Sequence, residues 1–74
     1  MSKQVLIYGK DIWPYTRNAR EAYAKKGYQV VYINVLQDPD KLEEMLRHSK
    51  GKRQVPVIIE ENHVTIGFGG SWLI

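Results

Sequence analysis

The chain has 74 residues, enough for one small domain and too few for a second hydrophobic core. It contains no cysteine, which excludes an internal disulfide, and its two histidines lack metal-ligand spacing. Eleven Lys and Arg residues against eight Asp and Glu give a net charge of +3, and no apolar run approaches membrane-span length. We therefore predict a single cytoplasmic domain over residues 1–74 that binds no metal and no membrane.

The first half of the chain predicts a strand, a helix and a second strand. A mostly apolar run from Gln4 to Tyr8 ends at Gly9 and indicates a buried strand. Small and apolar side chains at helical spacing predict a helix from about Tyr15 to Lys26, with Gly27 at its C-terminal end. The next run, Tyr28 to Val35, is rich in β-branched and aromatic residues and predicts the second strand.

The second half predicts a helix followed by two strands. Asp38 is a suitable N-cap, and Pro39 fits the first helical position. A third strand is predicted for Val55 to Glu60, and a tight turn at Glu61-Asn62 leads into a fourth strand, His63 to Phe68. The order β-α-β-α-β-β makes the first two strands parallel and the last two antiparallel, which defines a small mixed α/β domain.

Four cations surround Gly51, namely Arg47, Lys50, Lys52 and Arg53. They suit a solvated helix end, where cations interact favourably with the helix dipole. An anion-facing patch, for a carboxylate ligand or an acidic partner, is the functional alternative. Nucleic acid is the weakest reading, because the chain has no basic run interleaved with aromatic residues and no nucleic-acid motif.

Three motifs carry a resemblance to a known family. They are YGKDIWPYT, with WPYT at 13–16; RQVPVI, with Val55 and Pro56; and GFGG, which ends in Gly69 and Gly70. In this order they resemble the thioredoxin fold and, within it, the glutaredoxins, which have a Lys before a Cys-Pro-Tyr-Cys turn, a Thr-Val-Pro segment and a double glycine. The resemblance spans residues 5–70. It implies a glutaredoxin-like fold with a four-stranded mixed sheet, and with a last helix that is short or absent.

Within the glutaredoxins, WPYT is most similar to small selenoproteins whose turn reads selenocysteine-Pro-Tyr-Thr. Only residue 13 differs from that pattern. Selenocysteine is encoded by UGA, one base from the Trp codon UGG, so Trp13 is interpreted as a replacement for selenocysteine. The alternative is that Trp13 is a genuine packing aromatic.

The resemblance assigns catalytic positions to Trp13 and Thr16. A chalcogen anion at position 13 would be stabilised by the start of the first helix and by Lys10. Thr16 would donate a hydroxyl hydrogen bond to that anion but cannot act as a resolving thiol. This implies a one-chalcogen mechanism in which an external thiol, with glutathione as co-substrate, releases the mixed adduct. Indole cannot perform this chemistry, so the chain is predicted to be inactive with Trp13.

The resemblance also implies a substrate-binding groove. A cis Val55-Pro56 bond would present the backbone of Val55 to an extended peptide such as glutathione; the alternative is a trans proline opening an edge strand. The other predicted substrate-binding residues are Lys10, Tyr15, Gln54, Gly69 and Gly70, although Tyr15 suits a packing role equally well.

The predicted partners are glutathione or a protein disulfide or reductase. Where many glutaredoxins have an acidic residue after the double glycine, this chain has Ser71 and Trp72, which weakens the case for glutathione. Exposed Phe68, Trp72 and Leu73 would allow a weak dimer, so the predicted state is a monomer or weak dimer. The leading function is a glutaredoxin-like oxidoreductase, and the alternative is a non-catalytic module that binds a peptide or partner.

Overall fold

The computed structural model describes residues 3–11 and 14–74 and confirms the predicted mixed α/β fold. Its elements, in chain order, are β1 (Gln4–Gly9), α1 (Pro14–Lys25), β2 (Gln29–Asn34), α2 (Pro39–His48), β3 (Gln54–Val55), β4 (Val57–Glu60), β5 (His63–Ile66) and β6 (Trp72–Leu73).

The main sheet has four strands in the order β2-β1-β4-β5. β1 pairs with β2 in parallel and with β4 in antiparallel orientation, and β4 pairs antiparallel with β5. The predicted orientations of the first and last strand pairs are therefore confirmed. A separate two-stranded sheet joins β3 to β6.

The two faces of the main sheet carry separate clusters of buried side chains, because successive residues of a strand point to opposite faces. On one face, Val5, Ile7 and Ile58 pack with Ala19 and Tyr23 of α1. On the other face, the buried cluster contains Tyr8, Val35, Met45, Val55, Val57 and Ile59. The sheet therefore lies between α1 and α2.

Local sequence signals account for the ends of both helices. The Asp38 carboxylate accepts a hydrogen bond of 3.0 Å from the N–H of Asp40, and Pro39 occupies the first turn, so the predicted N-cap of α2 is confirmed. Helix α1 begins at Pro14, one residue before its predicted start. Gly27, with a φ of +88°, follows its last turn as predicted.

The second half differs from the prediction at two points. The strand predicted from Val55 to Glu60 is interrupted at Pro56, which has no N–H for a ladder hydrogen bond, so β3 and β4 belong to different sheets. The strand predicted to reach Phe68 ends at Ile66, because Gly67 adopts a φ of +92° and turns the chain. The sequence did not predict β6.

Within the described part of the chain, neither helix combines the length and the apolar character that a membrane crossing requires.

Candidate functional site

The N-terminus of α1 is the first part of the predicted site. Its first turn leaves backbone N–H groups without helical partners and carries the positive end of the helix dipole. This turn contains no acidic residue, so no side-chain charge there opposes an anion. Trp13, the predicted nucleophile position, lies outside the described residues.

Thr16 is fully buried in the first turn of α1. Its methyl and hydroxyl groups lie against Gly9, where an added β-carbon would be only 2.5 Å from either group. Its Oγ1 has no hydrogen-bond partner among the described residues. A buried hydroxyl without a partner is destabilising, and Thr16 therefore holds an unused donor at the start of α1.

Tyr15 lies against the double glycine. A β-carbon at Gly70 would be 2.4 Å from the Tyr15 ring, so residue 70 has no room for a side chain. Gly69 has a φ of +72°, which disfavours other residues for a separate reason. The structure thus brings together two of the predicted substrate-binding residues, Tyr15 and Gly70, and the Tyr15 ring accounts for a glycine at position 70.

The Val55-Pro56 peptide bond is cis, as predicted. Both residues are buried, whereas Gln54 before them is partly exposed. Val55 packs in the cluster on the α2 face of the sheet, which fixes the strand edge next to Pro56.

That strand edge is occupied by the chain's own C-terminal segment. In the antiparallel pair of β3 and β6, Val55 lies opposite Trp72 and Gln54 opposite Leu73. The N–H of Ile74 donates a hydrogen bond of 3.0 Å to the carbonyl of Arg53. The backbone of Val55, which was predicted to face a substrate peptide, therefore faces Trp72 in this structure.

Two cations hold the same segment. The Lys10 ammonium lies 5.6 Å from the centroid of the Trp72 ring, within the range of a cation–π contact. The Arg53 Nε donates a hydrogen bond of 3.1 Å to the backbone oxygen of Ile74. Arg53 belongs to the predicted basic cluster, so one member of that cluster holds a segment of its own chain.

A groove of about 250 Å³ runs beside this strand pair, lined by Gln54, Ser71, Trp72 and Leu73. Sequence reasoning included Gln54 but assigned Trp72 only to self-association. The aromatic and aliphatic run after the double glycine was the available signal for a strand, but two residues are too few for an alternating pattern.

A second groove, of about 450 Å³, lies between α1 and β2 and was not predicted. It is lined by Arg17, Arg20, Glu21, Ala24, Val30 and Tyr32. In its wall, the Tyr32 hydroxyl donates a 2.7 Å hydrogen bond to the Asp11 carboxylate, and the Arg20 guanidinium lies 4.1 Å from the Tyr32 ring centroid. Burial, followed by the bond to Asp11, raises the pKa of Tyr32. The hydrogen bond thus ties Asp11, the residue after Lys10, to β2.

No group of three or more His, Cys, Asp and Glu side chains within residues 3–11 and 14–74 could hold a metal ion.

The family profile of the glutaredoxins matches residues 5–64. The chain belongs to the glutaredoxin family. Its fold is similar to the crystal structure of a glutaredoxin from Archaeoglobus fulgidus, with a TM-score of 0.78 and 21% sequence identity, covering 89% of this chain and 76% of that one. None of the curated proteins matches the sequence significantly.

Family membership supports a glutaredoxin-like redox role for the chain. In this glutaredoxin, Tyr15 at the start of α1 contacts Gly70 of the double glycine. Trp72, two residues after Gly70, pairs with Val55 of the cis Val55-Pro56 bond. These two contacts join the three parts of the predicted site. The chemistry that this arrangement can perform depends on the residue at position 13.

Proposed function

We propose that this glutaredoxin is a selenol- or thiol-dependent disulfide oxidoreductase whose natural form has selenocysteine at position 13, and that the chain with Trp13 is inactive. The observation that carries the proposal is the buried hydroxyl of Thr16, which has no partner among the described residues. A hydroxyl one helical turn after position 13, at the positive end of α1, suits an anionic chalcogen as its acceptor.

The proposed reaction begins when a selenolate at position 13 attacks a substrate disulfide. A Se–S bond forms, the S–S bond breaks, and one substrate sulfur leaves as a thiolate. Lys10 and the start of α1 stabilise the selenolate, and Thr16 donates a hydrogen bond to it. Position 16 has no sulfur, so no thiol there can resolve the adduct.

An external thiol completes the cycle. In the cytoplasm, a thiolate of glutathione or of a protein reductase would attack the selenium of the Se–S adduct, so that the second substrate sulfur leaves as a thiolate and a new Se–S bond to the reductant forms. A second reductant thiol would then attack the sulfur of this new adduct, form the disulfide of the reductant and release the selenolate. Two electrons pass from thiols to the substrate disulfide in the complete cycle. Indole has neither a nucleophilic atom nor an ionisation near neutral pH, so Trp13 supports none of these steps.

The first test is a Trp13→Cys variant with Trp13→Ser as its matched control. Trp13→Cys is expected to reduce a model disulfide in the presence of glutathione, and its thiol pKa should lie well below the ordinary value of about 8.5. Trp13→Ser is expected to be inert. A folded Trp13→Cys protein without activity, or with an ordinary thiol pKa, would contradict the proposal.

The native codon 13 provides a second test. A UGA codon followed by a selenocysteine-insertion hairpin supports the replacement of selenocysteine by Trp. A UGG codon makes Trp13 genuine and favours the alternative function, a non-catalytic peptide-binding module. One observation favours that alternative, namely that the β3 edge already accepts an extended segment.

A further inference from the structure

We propose that β6 is an internal pseudosubstrate, a segment of the chain that occupies the β3 edge to which a substrate would bind. Protein substrates displace β6 with an extended segment of their own, which carries an aromatic residue opposite Val55. This inference deepens the proposed function and rests on it for the redox step alone.

Because of the register of β3 and β6, a substrate and β6 cannot both pair with Val55. In an antiparallel pair, hydrogen-bonded and non-hydrogen-bonded residue pairs alternate. Because Ile74 donates to Arg53, the Arg53–Ile74 pair is hydrogen-bonded, and so is the Val55–Trp72 pair two positions away. The N–H and C=O of one strand residue point to the same edge. A substrate that pairs with Val55 must therefore displace Trp72.

The length of the occupied edge indicates the class of substrate. An occupant that replaces β6 must offer backbone groups opposite both Arg53 and Val55, which requires at least three consecutive residues in extended conformation. Glutathione has a γ-linked first residue, so it offers a regular backbone at its cysteine alone and can replace the Trp72 pair but not the Ile74 bond. The length of the edge therefore suits an extended strand of a protein better than it suits glutathione.

The side chains of β6 indicate what that strand carries. The Lys10 ammonium lies 5.6 Å from the Trp72 ring centroid, so an aromatic ring opposite Val55 gains a cation–π contact. Lys10 is also the residue that is expected to lower the pKa at position 13, so the docked segment would contact a residue of the predicted site. We therefore expect this edge to select substrate strands that have an aromatic residue opposite Val55, as β6 does.

The two residues of β6 bury little apolar surface. Trp72 is 52% exposed and Leu73 is 66% exposed, and it is Ile74, after the strand, that packs partly buried against the cluster on the α2 face. The strand has two residues and belongs to a two-stranded sheet. Segments with few buried apolar contacts open at a low free-energy cost, which suits a strand that substrates displace.

Peptide binding to the full chain with Trp13 tests docking without any redox step. The probe is an acetylated and amidated peptide of sequence GGSWLI, and the variant is Trp72→Ala combined with Ile74→Pro, which removes the ring and one N–H that hold β6. Leu36→Ala is the matched control, because Leu36 is 59% exposed and lies outside this edge. We expect the double variant to bind the probe at least about tenfold more tightly than the wild type, with Leu36→Ala unchanged.

Amide hydrogen exchange at Val55 provides an independent readout. The Val55 amide is expected to be protected in the wild type and to exchange about tenfold faster in the double variant, and the added probe is expected to restore its protection. Replacing the probe tryptophan with alanine should weaken binding. Equal probe affinity in the wild type and double variant, or unchanged Val55 exchange, would overturn the inference.

The redox step is tested separately in the Trp13→Cys background. There, Trp72→Ala should raise the rate of reduction of a disulfide-bearing protein strand and leave the rate of reduction of a small-molecule disulfide unchanged. If Trp13→Cys is inert while the double variant gains probe binding, the proposed function fails and docking stands. If Trp13→Cys is active while neither binding nor Val55 exchange responds to the substitutions, the pseudosubstrate inference fails and the proposed function stands.

Discussion

The ring of Tyr15 occupies the space that a side chain at Gly70 would need. A β-carbon at residue 70 would lie between 2.4 and 2.8 Å from three carbons of that ring. Tyr15 belongs to the first turn of α1, and Gly70 precedes β6, so this contact ties the C-terminal segment to the predicted site.

Gly70→Ala is expected to lower the free energy of unfolding by about 1–3 kcal/mol, because its methyl group must displace the Tyr15 ring. Gly69→Ala is the comparison. Its β-carbon meets open space, so its cost of about 1 kcal/mol comes from the positive φ alone. Urea denaturation in a Tyr15→Ala background separates the two causes. The penalty of Gly70→Ala should shrink there and that of Gly69→Ala should persist; an undiminished Gly70→Ala penalty would argue against the steric explanation.

Thr16→Val is expected to leave the Trp13 chain equally stable or to stabilise it by up to about 1 kcal/mol, because it removes a buried hydroxyl without a described partner. In the Trp13→Cys background, the same substitution should raise the thiol pKa and slow exchange, because the thiolate loses a donor. Thr16→Ser retains the hydroxyl and should preserve the depressed thiol pKa. The measurements are thermal unfolding and thiolate absorbance against pH. A thiol pKa that is identical in Thr16→Val and its parent would remove Thr16 from the site.

The link between Tyr8 and Glu44 should make stability sensitive to acid. The Tyr8 hydroxyl donates to the Glu44 carboxylate, and this bond, with help from Lys41, lowers the Glu44 pKa from its ordinary value of 4.5. The stabilisation is therefore fully present above pH 4.5 and is lost as pH falls through the lowered pKa. Tyr8→Phe should lower Tm near neutral pH by about 5 °C and flatten the acid dependence. Lys41→Gln serves as the control and should have a smaller effect; a Tyr8→Phe profile parallel to the wild type in acid would contradict this assignment.

Tyr32 should contribute to loss of stability in alkali. Burial and the bond to Asp11 raise its pKa above the ordinary 10.0, so its contribution is fully present below pH 10.0 and is lost as pH rises through the raised value. In Tyr32→Phe, the free energy of unfolding should fall less steeply above pH 10.0 than in the wild type. Asp11→Asn keeps the half-buried phenol and should give an intermediate slope. Urea titrations at several alkaline pH values measure the effect, and equal slopes in all three proteins would refute it.

Much of the fold was predictable because its signals are local. The strand β1, both helices and the N-cap Asp38 follow from apolar periodicity and terminal residues close in sequence. The cis Val55-Pro56 bond followed from a family resemblance, since composition alone does not distinguish it from a trans bond. By contrast, the break between β3 and β4 was missed, because an apolar run around Pro56 satisfies the pattern of one continuous strand.

The residues of the candidate site stay a prediction from motifs, and their arrangement was not predicted. Lys10, Tyr15, Val55 and Gly70 were identified from motifs, and Tyr15 does contact Gly70. The role of Trp72 was not identifiable, because a two-residue strand has no periodic signal and its pairing with Val55 joins distant parts of the chain.

The sequence by itself determined the order of elements, the α/β class and the family, because hydrophobic spacing, helix caps and short motifs depend only on residues that are close in sequence. Only the tertiary structure decided which groups face one another: Thr16 against Gly9, Tyr15 against Gly70, and β6 along the edge beside Pro56. These contacts depend on how the strands pair and how α1 packs on the sheet, since the residues that meet lie in separate elements and no local pattern encodes their distance.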